Sequence, residues 1–134
     1  MKTSVGKYVS PQKLEMLLTQ DELVEQVVVV GDGQPYVTAL IVVEPEQLKQ
    51  VVEDLDISPG KGEKLTSSAE VRRLLEKRLE RIQQHLPSYE KVVDFRLLDE
   101  PFTMEEGTMT NTMKLRRNTI EQKYRHVIEE MYQG

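Results

Sequence analysis

The residues most suited to chemistry lie in one segment, residues 102–117, which reads FTMEEGTMTNTMKLRR. A glycine turn and a run of short hydroxyl and amide side chains precede Lys114, which stands just before a helical pattern. Loops held on a rigid scaffold commonly carry function. Lys114 is therefore a candidate catalytic residue, with Thr110 and Thr112 as supporting residues of its loop. The alternative is a solvated lysine that only begins the last helix, because most lysines are solvated.

The other candidate ligand and metal sites fail on spacing. The turn at Gly31 and Gly33 matches neither the P-loop pattern nor the Gly-x-Gly-x-x-Gly fingerprint, so a hairpin turn is the better interpretation. His85 and His126 are expected in separate helices and form no His-Glu-x-x-His motif. No Gly-x-Ser-x-Gly elbow occurs. We therefore expect neither a metal site nor a hydrolase triad.

Composition excludes several other classes. The chain has 134 residues, of which 38% are hydrophobic, enough for one domain with a modest core. A formal net charge of −5 argues against nucleic acid as the main partner, because phosphate binding needs a concentrated basic face. The absence of cysteine removes disulfides and thiolate chemistry. With no apolar run of roughly 18–20 residues and no signal-peptide core, we expect a cytosolic single domain.

Hydrophobic periodicity predicts an α+β fold. Two runs rich in β-branched residues, 24–30 and 36–43, flank a turn and predict a β-hairpin, and residues 91–98 predict a third strand. Because the hairpin runs are almost continuously apolar, we expect helices on at least one face of the sheet.

Four helices complete the predicted fold. The first covers residues 11–19, where a serine and a proline give a helix start, and the second opens at Pro45. The third runs from about Ser68 to Leu86, after a loop over residues 56–67. The last carries Ile120, Tyr124, Val127, Ile128 and Met131.

A basic tract precedes and enters the last helix of this acidic chain. Its members are Lys114, Arg116, Arg117, Lys123, Arg125 and His126. One interpretation is charge pairing within the helix, since Glu121 and Arg125 are four residues apart. The other is an anion site offered to a partner outside this domain. Composition alone leaves both open.

Several motifs, in one order, carry a family resemblance. They are SVGKYVSP at 4–11 with its continuation through Leu14 and Glu15, VVVVGD at 27–32, YVTALIV at 36–42, LPSYEK at 86–91, and FTMEEG and MTNTMKLRR in the candidate segment. Together they resemble the small C-terminal domain of acyl-adenylate-forming enzymes, in the branch of long-chain fatty-acid–CoA ligases. Two positions depart from the pattern: Met113 stands where most of the superfamily has glycine, and Asn111 where many relatives have proline.

The resemblance implies a function in two half-reactions. ATP and a fatty acid first form acyl-AMP, with Mg²⁺ on the phosphates, and coenzyme A then accepts the acyl group. Lys114 corresponds to the family's adenylation lysine. Gly6 and Lys7 correspond to a loop that approaches coenzyme A after the domain rotates about a hinge.

The resemblance also implies the domain organisation. Residues 1–134 would be one mobile domain of a larger ligase of lipid metabolism, with the large N-terminal domain of the same enzyme as its partner and no activity of its own. A cytoplasmic location is expected, compatible with peripheral association with the inner face of a membrane. Two alternatives stay open: a ligase for another carboxylic acid, and a free-standing module that binds a partner protein through an apolar face of the sheet.

Overall fold

Three strands form one mixed sheet in the computed structural model, which describes residues 1–58 and 64–133. Strands β1 (Val24–Val30) and β2 (Val37–Val43) pair antiparallel, and β3 (Val92–Leu98) lies parallel to β2, giving the order β1-β2-β3. The predicted hairpin and third strand are confirmed. β3 runs parallel because the chain between β2 and β3 is long enough for the crossover that parallel neighbours require.

Three helices cover the first face of the sheet: α1 (Pro11–Leu18), α2 (Pro45–Asp54) and α3 (Ala69–Ile82). Each begins at a side-chain cap, in which Ser10, Glu44 and Ser68 accept a hydrogen bond from the backbone of the first turn. Their apolar stripes join alternate residues of the strands in one core cluster. The cluster contains Leu14, Leu18, Val27, Val29, Ala39, Ile41, Leu48, Val52, Val71, Leu75, Leu79 and Phe95, among others.

The C-terminal part of the chain covers the second face. Helices α4 (Arg117–Lys123) and α5 (Arg125–Tyr132) and the preceding segment pack against the remaining strand residues. This second cluster includes Val28, Val30, Leu40, Val42, Leu98, Phe102, Met109, Ile120, Ile128 and Met131. The domain is therefore a three-layer α+β structure. Covering both faces explains why the hairpin strands are almost continuously apolar.

Two helix predictions need correction. The third helix ends at Ile82, not at Leu86, because the buried side chain of Gln83 turns inward: its Nε2 donates to the Leu79 carbonyl, and its Oε1 accepts from the Val92 amide at 2.8 Å. His85 consequently lies in a turn. The predicted loop over 56–67 contains a 3₁₀ turn at Leu65–Ser67, and its residues 59–63 lie outside the described residues.

The last predicted helix is in fact two helices. The helix is interrupted at Tyr124, which has φ −107° and ψ 25°, so the described residues form five α-helices where about four were expected. No proline or glycine stands between residues 117 and 132 to signal a break. Ile120, Tyr124 and Ile128 all pack with the second cluster, so the break preserves their burial.

In the described part of the chain, no helix is long and apolar enough to cross a membrane.

Candidate functional site

The lysine loop, residues 110–114, closes a small hairpin on the second face of the sheet. Met109 and Leu115 pair as an antiparallel bridge, and the Thr110 amide donates to the Lys114 carbonyl at 2.8 Å. Met109 and Leu115 also pack with the second core cluster. Both ends of the loop are therefore fixed to the core, while Lys114 itself is exposed.

The side chain of Thr110 holds the inside of the loop. Its Oγ1 accepts from the amide of Lys114 at 3.1 Å and from the amide of Thr112 at 3.3 Å, and it lies 3.0 Å from the hydroxyl of Thr112. The three predicted residues of this site are thus brought together by hydrogen bonds within the loop. Thr110 contacts the backbone that carries the lysine, and the Thr112 hydroxyl contacts that of Thr110.

Met113 is the one residue of the lysine loop that has a left-handed backbone conformation. Its φ is +65°, and its side chain is 75% exposed. Such a conformation favours glycine because a Cβ crowds the following carbonyl. Glycine, which the resemblance implies for most of the superfamily, would adopt this φ without strain. Met113 adopts it at a cost in strain.

Two exposed cations lie at the end of this loop and just after it. Leu115 points into the second cluster, and the exposed residues on either side of it are Lys114 and Arg116. Within residues 1–58 and 64–133, no ion pair includes either of these two. Sequence reasoning placed Arg116 in the basic tract but missed its place beside Lys114, although the alternation around Leu115 could have indicated it.

Three other members of the basic tract have carboxylate partners. Arg117 pairs with Glu15, Lys123 with Glu100 and Glu106, and Arg125 with Glu129. The predicted pairing of Glu121 with Arg125 is wrong, because the Arg125 side chain is directed to Glu129 at 3.3 Å instead. The tract therefore divides: Arg117, Lys123 and Arg125 make structural contacts, whereas Lys114 and Arg116 are available to an outside anion.

Lys123 fixes the turn that leads into the lysine loop. Its Nζ lies 2.8 Å from the Glu106 carboxylate, and this hydrogen bond raises the pKa of Lys123 above its ordinary value. Nearby, partial burial raises the pKa of Glu121, and the charge of Arg117 opposes that shift. Glu106 thus has a structural partner, in keeping with a non-catalytic role.

An open depression of about 540 Å³ adjoins the lysine loop. It is lined by Met104, Gly107, Met109, Asn111, Arg116 and Thr119. Its lining is mainly polar or cationic, and it is open to solvent. A surface of this shape suits half of a binding site that another domain would close.

Gly6 and Lys7 lie in a separate hairpin at the N-terminus. Lys2 bridges to Tyr8, and Gly6 forms the turn with φ +82°. Only the Lys2 Cε would come within 4.0 Å of a Cβ added at Gly6, so the space outside this glycine is open. The Nζ of Lys7 lies 5.3 Å from the centre of the Tyr89 ring. No hydrogen bond or ion pair of the described residues joins this hairpin to the lysine loop.

The described residues contain no group of three His, Asp or Glu side chains that could hold a metal ion.

Comparison with known proteins places this geometry in a family context. The chain matches, over residues 1–134, the family described as the AMP-binding enzyme C-terminal domain. It is 30% identical over 131 residues to the long-chain-fatty-acid–CoA ligase FadD15 of Mycobacterium tuberculosis, covering 97% of this chain and 22% of that protein. It is 30% identical over 134 residues to long-chain-fatty-acid–CoA ligase 1 of Cavia porcellus, covering 98% and 19%. The chain thus spans about a fifth of these relatives.

Solved structures agree with the sequence relatives. The adenylation domain of a carboxylate reductase from Mycobacterium chelonae superposes with a TM-score of 0.79 at 28% identity, covering 98% of this chain and 19% of that one. The A domain of carboxylic acid reductase from Segniliparus rugosus, in complex with AMP and a co-purified carboxylic acid, gives 0.77 at 30% identity, with the same coverage of both chains. The α+β fold expected from the resemblance is confirmed.

Proposed function

The chain belongs to the AMP-binding enzyme C-terminal domain family, and we propose that it supplies the adenylation lysine, Lys114, to a long-chain fatty-acid–CoA ligase. The ligase activates a fatty acid with ATP to acyl-AMP and then transfers the acyl group to coenzyme A. The long-chain ligases among the relatives support this substrate class. A structural neighbour in complex with AMP supports the use of ATP.

One observation carries the proposal for Lys114: an exposed lysine stands on a loop whose backbone is closed by hydrogen bonds. Thr110 accepts from the amide of Lys114 and donates its own amide to the carbonyl of Lys114. No ion pair within the described chain occupies the ammonium. A cation held in this way can contact an anion on another domain without first leaving a carboxylate partner.

The chemistry of adenylation explains the need for such a cation. The fatty carboxylate oxygen bonds to the α-phosphorus of ATP, and the bond from that phosphorus to pyrophosphate breaks. Two anions must therefore come into contact in a site from which water is excluded, where their repulsion is strong. The ammonium of Lys114 lies between carboxylate and phosphate oxygens and stabilises the charge of the transition state. Loss of one such contact typically slows a reaction by roughly 10²–10³-fold.

Magnesium would neutralise charge on the ATP phosphates. As the family resemblance implies, its protein ligands would come mainly from the N-terminal domain of the ligase.

In the second half-reaction the domain presents its N-terminal hairpin in place of the lysine loop. Rotation about a hinge withdraws the lysine loop and brings Gly6 and Lys7 towards the coenzyme A channel. The open space outside Gly6 supports this role, because a glycine lets a ligand approach the backbone closely. Lys7 adds a positive charge at the same exposed turn.

Another carboxylic acid is the alternative substrate class. The carboxylic acid reductase neighbours support this alternative, since they share the fold at TM-scores of 0.77 to 0.79. The free-standing module has less support, because helices cover both faces of the sheet and leave no apolar sheet face among the described residues. A panel of fatty and aromatic acids, assayed by pyrophosphate release, separates the two ligase classes.

The proposal is tested in the full-length ligase with Lys114→Ala and a matched control, Lys77→Ala, an exposed lysine on α3. We expect Lys114→Ala to lower acyl-AMP formation by roughly 10²–10³-fold, with thioester formation from supplied acyl-AMP largely spared. The control retains both half-reactions. Intact adenylation in Lys114→Ala would contradict the role of this lysine. The isolated chain is expected to show no ATP turnover, and tight ATP binding by calorimetry would count against the proposal.

A further inference from the structure

Arg117 follows the lysine loop by three residues and holds a carboxylate at two points. Its Nη1 donates to Oε2 of Glu15 at 2.7 Å, and its Nη2 donates to Oε1 of the same carboxylate. The Glu15 side chain is 13% exposed and that of Arg117 is 29% exposed. A two-point contact of this kind fixes the orientation of the guanidinium as well as its distance.

Glu15 is fixed in turn by the sheet. Its Oε2 accepts a hydrogen bond from the amide of Val29 at 2.8 Å. Val29 lies in β1, which is an edge strand, and its amide would otherwise have no partner there. The carboxylate therefore connects the backbone of the sheet edge to the guanidinium of Arg117.

This pair joins the two helical layers around the edge of β1. Glu15 belongs to α1, whose Leu14 and Leu18 pack on the first face of the sheet. Arg117 is the first residue of α4, whose Ile120 packs on the second face. This ion pair connects the two layers next to the lysine loop. Its two residues are 102 positions apart in sequence.

This contact lies at the exit of the lysine loop. Leu115 packs with the second cluster and fixes the end of the loop, whereas Arg116 is exposed, so the chain has no buried side chain between Leu115 and Arg117. The amide of Arg116 donates to the carbonyl of Thr108 at 2.9 Å, which aligns the chain but leaves its direction into α4 to be set. The fork of Arg117 on Glu15 constrains that direction, together with the burial of Ile120 in the second cluster.

We propose that Glu15 and Arg117 are positioning residues for Lys114: they fix the exit of the lysine loop so that the ammonium meets the reacting anions. The inference rests on the proposed function of Lys114. A lysine at position 117 would keep the positive charge but lose the two-point contact, so the loop would be held less tightly. Misplacement of a catalytic group by about 1 Å can slow a reaction by about 10²-fold.

The chain contains a matched control pair. Arg78 donates from Nε to both carboxylate oxygens of Asp21, at 2.8 and 3.1 Å. Their side chains are 28% and 10% exposed, close to the values for Arg117 and Glu15. This pair joins α3 to the turn before β1 and contacts no residue of the lysine loop.

The experiment compares Arg117→Lys with Arg78→Lys in the full-length ligase. We expect similar losses of thermal stability in the two variants. Only Arg117→Lys should lower kcat for acyl-AMP formation, by about 10- to 10²-fold, with KM for ATP and the rate of thioester formation from supplied acyl-AMP nearly unchanged. Glu15→Gln, a milder change that retains an acceptor for the Val29 amide, should lower the same kcat by a smaller factor.

Equal adenylation rates in Arg117→Lys and Arg78→Lys would overturn the positioning role. If Arg117→Lys does not yield folded enzyme, Glu15→Gln decides in its place, and unchanged kcat in that variant overturns the inference. Lys114→Ala, measured in parallel, separates the two proposals. Loss of adenylation in Lys114→Ala without any effect of Arg117→Lys contradicts only the positioning role, whereas intact adenylation in Lys114→Ala contradicts the function on which it rests.

Discussion

Gln26 and Phe102 hold each other through two hydrogen bonds, across 76 residues of sequence. The Phe102 amide donates to Oε1 of Gln26 at 2.7 Å, and Nε2 of Gln26 donates to the Phe102 carbonyl at 3.0 Å. The side-chain amide of Gln26, a residue of β1, thus satisfies both backbone polar groups of Phe102. Phe102 is buried in the second cluster, so this contact fixes where the segment before the lysine loop begins.

The substitution Gln26→Leu should release Phe102, the start of this segment, from β1. The change leaves the amide and carbonyl of Phe102 without their partner in a partly buried site, which costs about 1–3 kcal/mol for an unsatisfied group. Urea unfolding of the chain should show a loss of this size, and hydrogen exchange at the Phe102 amide should accelerate. Gln83→Leu is the matched control, because the Gln83 side chain accepts from the Val92 amide at 2.8 Å. The control should accelerate exchange at Val92 and leave Phe102 protected; the reverse pattern would contradict the assignment.

Tyr132 connects α5 to the β1–β2 hairpin through hydrogen bonds of its hydroxyl. Its hydroxyl lies 2.9 Å from Thr38 Oγ1, 2.9 Å from the Tyr36 carbonyl and 3.3 Å from the Val30 carbonyl. Burial raises the pKa of Tyr132 from 10.0 to about 12. Since the folded pKa lies above the unfolded one, folding favours the protonated phenol. Its contribution to stability is complete below pH 10 and is lost as pH rises towards 12.

Tyr132→Phe should therefore lower the free energy of unfolding at neutral pH by about 1–3 kcal/mol, the cost of buried acceptors left unsatisfied. It should also flatten the fall in stability between pH 10 and 12. Urea unfolding at several alkaline pH values measures both effects. Tyr8→Phe, at a residue that is 72% exposed, should change neither. An equally steep alkaline loss in Tyr132→Phe would assign the dependence to another group.

Local signals in the sequence predicted the strands and helix starts. Ser10 with Pro11 and Glu44 with Pro45 mark helix starts that the structure keeps, since capping depends on a few neighbouring residues. The β1–β2 hairpin is also local, because a turn separates two strongly apolar runs. The segment around Lys114 was recognisable because its motif is continuous in sequence.

Contacts between distant residues could not be predicted in this way. The resemblance includes Glu15 only as a residue of the first helix. No local pattern indicates its role, because that role depends on Arg117, which is 102 residues away. The helix break at Tyr124 carries no proline or glycine, and only packing on a folded sheet selects it. Helix capping and turn preferences act within a few residues, whereas these features appear only once both layers have closed on the sheet.

Gly6 offers a test of the thioester half-reaction. Gly6→Ala places a Cβ on a backbone with φ +82°, which costs roughly 1–2 kcal/mol in strain, and fills the space outside the turn. Gly33→Ala is the matched control: its φ is +72°, and an added Cβ would meet nothing within 4 Å. We expect similar losses of stability, but thioester formation in the full-length ligase should slow by about tenfold or more only in Gly6→Ala, which corresponds to about 1.4 kcal/mol. Equal thioester rates in the two variants would contradict the role of Gly6.

Met113→Gly should stabilise the lysine loop. Glycine removes a strain of roughly 1–2 kcal/mol at φ +65° and restores about 0.5–1 kcal/mol of flexibility to the unfolded chain, so a net gain of up to about 1 kcal/mol is expected. Met16→Gly is the matched control, because Met16 is 72% exposed but lies within α1. There glycine should instead cost up to about 1 kcal/mol. Urea unfolding of both variants gives the two signs, and a destabilised Met113→Gly would mean that the methionine side chain contributes more than its backbone strain costs.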